Sequence, residues 1–107
     1  MKMILAIINH DDAPTVIHNL TKDGFQVTKL ATTGGLLKAG NTTLLLGVND
    51  DKVDSAIGII SKYSKSRSQL LPTTEMGSGG VYSSMPVEVM VGGATCFVLN
   101  IERMEKA

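Results

Sequence analysis

The run Met3 to Ile8, reading MILAII, is apolar on both of its alternating sets, with Met3, Leu5 and Ile7 on one and Ile4, Ala6 and Ile8 on the other. Bounded by Lys2 and Asn9, it reads as a fully buried strand. It is too short to cross a bilayer, which needs about 20 residues, and it runs into Asn9, His10, Asp11 and Asp12 rather than a small-residue cleavage site. Nothing in it directs export, and a cytoplasmic protein is the simplest expectation.

After this strand, Ala13, Val16, Ile17 and Leu20 recur at helical spacing, with Asp11 or Asp12 as cap, Pro14 in the first turn and Gly24 at the end. Phe25 to Ala31 reads as a second strand and Thr43 to Val48 as a third. Asn49 or Asp50 caps a second helix carrying Val53, Ala56, Ile57 and Ile60 on one face. Lys62, Lys65 and Arg67 near its far end are expected to complement the helix dipole, with a phosphate clamp as the lesser reading. Ser68 to Met85 reads as one long loose loop, and Val87 to Val91 and Ala94 to Ile101 as strands joined in a hairpin by Gly92-Gly93.

That order, βαβ followed by βαβ, predicts an α+β ferredoxin-like sandwich with an extra C-terminal strand hairpin, in which two helices cover one face of an antiparallel sheet. The other face is left bare, yet Met3, Leu5 and Ile7, and the wholly apolar Leu44 to Leu46, give it apolar side chains. Exposed apolar surface on that scale predicts packing against other copies in a closed cyclic oligomer, with ligand clefts between subunits.

A length of 107 residues fits one domain over 1–107, and the 43% hydrophobic content supplies an ordinary core for it. Ten basic residues balance ten acidic ones, so no general charge draws the chain to polymeric nucleic acid or to a membrane. Cys96, the one cysteine, lies in the apolar run Ala94 to Leu99 and reads as a buried small hydrophobe. His10, His18 and the scattered carboxylates lack metal-ligand spacing, and no serine stands in a nucleophile elbow, so neither a metal nor catalysis is expected.

The segment Thr28 to Asn49, reading TKLATTGGLLKAGNTTLLLGVN, encloses a polar loop suited to a ligand. The hydroxyls of Thr32, Thr33, Thr42 and Thr43, with the backbone at Gly34, Gly35 and Gly40, can surround a phosphate without a Walker or dinucleotide pattern. Asn41 can pair with N6 and N7 of an adenine or serve as a turn residue before the strand, and its residue type leaves both open.

The segments KLATTGGLLKAGNTTLLLGVNDD, Glu75-Met76-Gly77 and PVEVMVGGATCFVL together resemble the PII-like cyclic di-AMP receptor family over nearly the whole chain. The resemblance implies a non-catalytic signal transducer without cofactors. It implies a homotrimer binding cyclic di-AMP in each intersubunit cleft and an unknown downstream protein partner. It places Gln26, Val27 and Thr28 along the site, makes Thr28 and Asn41 base readers, and gives Gly35, Leu36 and Leu37 the loop wall. Gly47 would allow close approach, and Gly92 and Gly93 of the neighbouring subunit would close the cleft.

The chain departs from the family's pattern at Gln26, where arginine is frequent, at Leu36, where phenylalanine is frequent, and in its tail Arg103 to Ala107. These changes remove a charge-assisted bond and a stacking ring worth about 1–3 kcal/mol. The alternative expectation is therefore a trimeric PII-like adaptor that has lost cyclic di-AMP or binds another adenine nucleotide.

Overall fold

A computed structural model describes residues 1–30, 40–71 and 87–107. Strand β1 (Lys2–Asn9) is followed by helix α1 (Ala13–Lys22), β2 (Val27–Leu30) and β3 (Asn41–Val48). A single 3-10 turn, Asp50–Lys52, leads into α2 (Val53–Tyr63), and then come β4 (Arg67–Leu71), β5 (Val87–Val91) and β6 (Ala94–Asn100).

Four strands form one sheet in the order β2-β3-β1-β6, antiparallel at every pairing. Each βαβ crossover is thus split by a strand laid between its two ends, which is the ferredoxin-like arrangement expected from the element order. β1 sits inside because both of its edges are taken, by β3 from Lys2↔Val48 to Asn9↔Asn41 and by β6 from Lys2↔Asn100 to Ile8↔Ala94.

The core lies between this sheet and the helices. Ile4, Ala6 and Ile8 of β1 and Leu44, Leu46 and Val48 of β3 meet Ala13, Val16 and Leu20 of α1 and Ala56 and Ile60 of α2, all of them buried. Helix α1 stops where the glycine predicts. Gly24 takes φ +92°, its N–H donates to the Thr21 carbonyl, and the Phe25 N–H reaches back to that of Leu20, each at 3.0 Å. This is a Schellman closure, and Phe25 packs on the core that contains Leu20. Asp12 holds the N-cap position of α1, whereas Asn49 precedes the 3-10 turn and α2 proper begins later than expected. The N-terminal ammonium lies 2.8 Å from Asp50, hydrogen-bonding to and attracting its carboxylate, which lowers that carboxyl's pKa.

Two expectations about the last third of the chain need correcting. Gly92 and Gly93 do adopt positive φ, +83° and +80°, but they do not join a hairpin. β5 pairs with β4 in a separate two-stranded ribbon, and β6 pairs with β1, so the two glycines are where the chain leaves one sheet for the other. Ser68 to Leu71, read as loose, belong to β4. The paired-glycine signal reports only that both residues need left-handed backbone, and a change of sheet demands that as much as a tight turn does. The remainder of the predicted loop, and Ala31 of the second strand, lie outside the described residues.

Candidate functional site

Strand pairing decides which face each candidate residue shares. Thr28 is opposite Leu45, Leu45 is opposite Leu5, Gly47 is opposite Met3 and Asn41 is opposite Asn9. Directly paired residues point the same way, and alternate residues along a strand do too. Thr28, Asn41 and Gly47 therefore sit on the face that carries Met3, Leu5, Ile7 and Leu45, opposite the helices.

Apart from Thr43, which lies on this face opposite Ile7 and is 5% exposed, the face is open, and no described helix packs on it. Phe97 and Leu99, paired with Leu5 and Met3, are 52% and 43% exposed. Gly47 is exposed, its φ is not left-handed, and an added Cβ would meet nothing within 4 Å. Neither backbone geometry nor packing inside the protomer calls for glycine there. A strand glycine costs about 0.5–1 kcal/mol relative to alanine, and its usual return is room for another backbone or a ligand.

The protomer does not gather the candidates in one place. Exposed Gln26 lines an open hollow of ≈ 360 Å³ with Gly47, Asp23, Asn49 and Lys52, at the Lys2 end of the sheet. Asn41, Gly92 and Gly93 line another of ≈ 330 Å³ with Asn9, Ser66 and Thr95, at the Asn9 end. Gly47 is six positions along β3 from Asn41, about 20 Å in a strand. Val27 packs against the core on the helix side, so its backbone is the part left to face outward. Gly35, Leu36 and Leu37 lie outside the described residues, as do Thr32, Thr33 and Gly34.

Of the hydroxyls counted with the loop, Thr43 lies in the third strand as read, and Thr42 joins it there. Thr42 and Thr43 belong to β3 and are buried, 4% and 5% exposed. Thr42 Oγ1 lies 3.1 Å from His10 Nδ1, and the His10 N–H donates to the Gly40 carbonyl at 2.6 Å, tying the turn after β1 to the start of β3. The strand begins two residues earlier than its leucine content suggests because the polar Asn41 and Thr42 extend the pairing opposite Asn9 and Ile8.

Of the basic residues read near the far end of α2, Lys62 lies in the last turn as expected, whereas Arg67 does not. Arg67 is in β4 and forms a bidentate pair with Asp12, while the Lys62 ammonium sits over the Tyr63 ring at 5.3 Å. Sequence spacing held no signal for the Arg67 pair, because its partner is far away in the chain. Cys96 is half-buried between α2 and β6, in a hollow of ≈ 250 Å³ shared with Ile57, Ser61 and Gly93, and burial pushes its thiol pKa up. Among the described residues no group of three or more His, Cys, Asp or Glu is placed to hold a metal, and no helix is long and apolar enough to cross a membrane.

Known proteins bear on this arrangement. Residues 1–107 match the family model described as cyclic-di-AMP receptor. Nitrogen fixation nifHD region GlnB-like protein 1 of Methanothermococcus thermolithotrophicus is 37% identical over 73 residues, covering 56% of this chain and 70% of that protein. The crystal structure of a functionally unknown protein from Pediococcus pentosaceus ATCC 25745 superposes with a TM-score of 0.74 at 32% identity, over 99% of this chain and 96% of that one. With the family model matched from end to end, the chain belongs to the PII-like cyclic-di-AMP receptor family.

Proposed function

We propose that the chain, a single PII-like domain over 1–107, is a cytoplasmic, non-catalytic signalling protein that assembles as a homotrimer and binds cyclic di-AMP in the clefts between subunits. The observation that carries this reading is that Thr28, Asn41 and Gly47 share the sheet face that the helices leave uncovered. Apolar side chains at Leu5, Leu45, Phe97 and Leu99 favour sheet-to-sheet contact between copies there. Because the Gly47 and Gly92–Gly93 ends of one protomer lie far apart, a cleft combining them draws on two subunits.

In that cleft Thr28 and Asn41 read the adenine edges, the Asn41 amide supplying one donor and one acceptor as N7 and N6 require. Gly47 lets the nucleotide approach the strand, and Gly92 and Gly93 of the neighbouring subunit close the opening. Gly35, Leu36 and Leu37 complete the wall. A downstream protein then reads the changed surface.

Calorimetric titration of the purified protein tests this, with cyclic di-GMP and ATP as controls. One cyclic di-AMP per subunit, selected over both controls, is the expected result. A second reading is favoured by Gln26, which is exposed and offers an uncharged amide where the family often has arginine. On that reading the trimer works as an adaptor for proteins without cyclic di-AMP, or with another adenine nucleotide, and the same titration shows no saturable cyclic di-AMP heat.

A further inference from the structure

Two segments distant in sequence, at Asp12 and at Gly92, meet at the guanidinium of Arg67, the first residue of β4. Its Nη2 lies 3.1 Å from Asp12 Oδ1, and its Nη1 donates to Asp12 Oδ2 at 3.2 Å and to the Lys65 carbonyl at 3.3 Å. Gly92, just past β5, completes the arrangement, since a Cβ on it would lie 2.5 Å from the Lys65 oxygen and 2.7 Å from Arg67 Nη1. The Asp12 side chain is 11% exposed and that of Arg67 46%, so the pair is sheltered on the carboxylate side and open to solvent on the guanidinium side, and its two-point geometry rather than its charge carries the argument.

Each end of this contact is itself anchored. Asp12 belongs to the turn after β1, where its N–H donates to the Asn9 carbonyl at 3.0 Å, and Asn9 is opposite Asn41. Arg67 opens the β4–β5 ribbon, whose strands are further joined by the Ser68 hydroxyl donating to the Glu88 carboxylate. Among the described residues neither β4 nor β5 packs broadly on the four-stranded sheet or on the helices. Among the described residues the Asp12 contact, the Ser64–Ser66 link from α2 and the Gly92–Gly93 backbone are what join the ribbon to the rest of the protomer.

We propose that Asp12 and Arg67 are positioning residues, a planar two-point latch that sets the angle of the ribbon and so holds the Gly92–Gly93 wall in place beside the Asn41 end of the sheet. A guanidinium and a carboxylate joined at two points fix orientation as well as distance, which a lysine ammonium does not. Neither residue lines the hollow that contains Asn41. The latch acts on the site only through the glycines.

Hydrogen exchange resolved by segment tests this on the full chain. In Arg67→Ala and in Arg67→Lys, which keeps the charge and most of the bulk, exchange of the β4 and β5 amides rises about tenfold while β1 and β3 stay at the wild-type rate. Combining Asp12→Asn with Arg67→Ala adds little further, since both remove one contact. The importance of the latch for the ligand rests on the function proposed above, and there cyclic di-AMP affinity falls about tenfold in Arg67→Lys. Ribbon exchange at the wild-type rate in both Arg67 variants overturns the latch, and unchanged cyclic di-AMP affinity overturns its positioning role. A wild-type protein that binds no cyclic di-AMP defeats the proposed function instead, and the exchange rates still decide the latch.

Discussion

The two faces of the four-stranded sheet are built from the same kind of side chain and end in different surroundings. In β1, Ile4, Ala6 and Ile8 are buried beneath α1 and α2, while Met3, Leu5 and Ile7, one residue out of phase, are only half-buried. The covered face is explained by the protomer alone, because its residues close a core. The uncovered face is not. Its leucines and Phe97 lie beside Thr28, Asn41 and Gly47, and Gly47 has no role in the protomer's own geometry. Residues that the protomer's own packing does not use are the ground on which contact with another copy and a ligand is proposed for this face.

Substitutions on the two faces should separate stability from assembly and binding. The largest effect is expected at Ile4→Ala, which opens a cavity in the covered core and should lower unfolding free energy by about 2–5 kcal/mol in denaturant titration. Phe97→Asp, on the uncovered face, should leave the secondary structure seen by circular dichroism in place while light scattering reports monomers. An intact trimer in that variant would break the comparison. At the crossing between sheets, Gly92→Ala should be destabilised by about 1–3 kcal/mol from backbone strain, before the contact with Arg67 and the Lys65 carbonyl is added.

Gly47→Val sharpens the contrast further, since open space and extended backbone accept a valine. Its melting temperature should equal or slightly exceed that of the wild type, since a strand glycine is lost, while cyclic di-AMP binding weakens by about 1–3 kcal/mol as the side chain fills the approach to the strand. Asn41→Ala should cost about 0.5–1.5 kcal/mol of binding for a lost hydrogen bond and leave the trimer intact. Equal affinity in that variant would count against base reading. The smallest effect concerns Cys96, whose pKa burial raises. Less of it is thiolate at any given pH near 8, so it should alkylate more slowly than a free cysteine, and the difference should narrow as pH is raised.

Much of this was legible from periodicity. The helical spacing of Ala13, Val16 and Leu20 and of Ala56 and Ile60 identified the residues that prove buried, and Gly24 marked the end of α1. The doubly apolar β1 read as fully buried, whereas in the protomer only Ile4, Ala6 and Ile8 are buried, and Met3, Leu5 and Ile7 lie half-buried on the face left over. Tertiary partnership was less visible. Gly92-Gly93 signalled positive φ but not which strands it would serve, because the partners that decide this, β4 for β5 and β1 for β6, are remote in sequence. Arg67 looked like a helix-end cation for the same reason, as nothing local marks Asp12 as its partner. Thr42 read as a loop hydroxyl because polar residues at a strand's start carry no strand signal of their own, and it was its place opposite Ile8 that drew it into the sheet. For the candidate site, residue type indicated Thr28, Asn41 and Gly47, and register then placed them on one face.

Methyl-labelled NMR of the protein titrated with cyclic di-AMP tests the central claim most directly, because Leu44 and Leu45 are neighbours in β3 on opposite faces of the sheet. The account predicts that the methyls of Leu45 and Leu5 shift on addition of nucleotide while those of Leu44, Ile4 and Ile60 hold their positions. Shifts confined to the helix-covered core, or no shift on either face at saturating nucleotide, would contradict it.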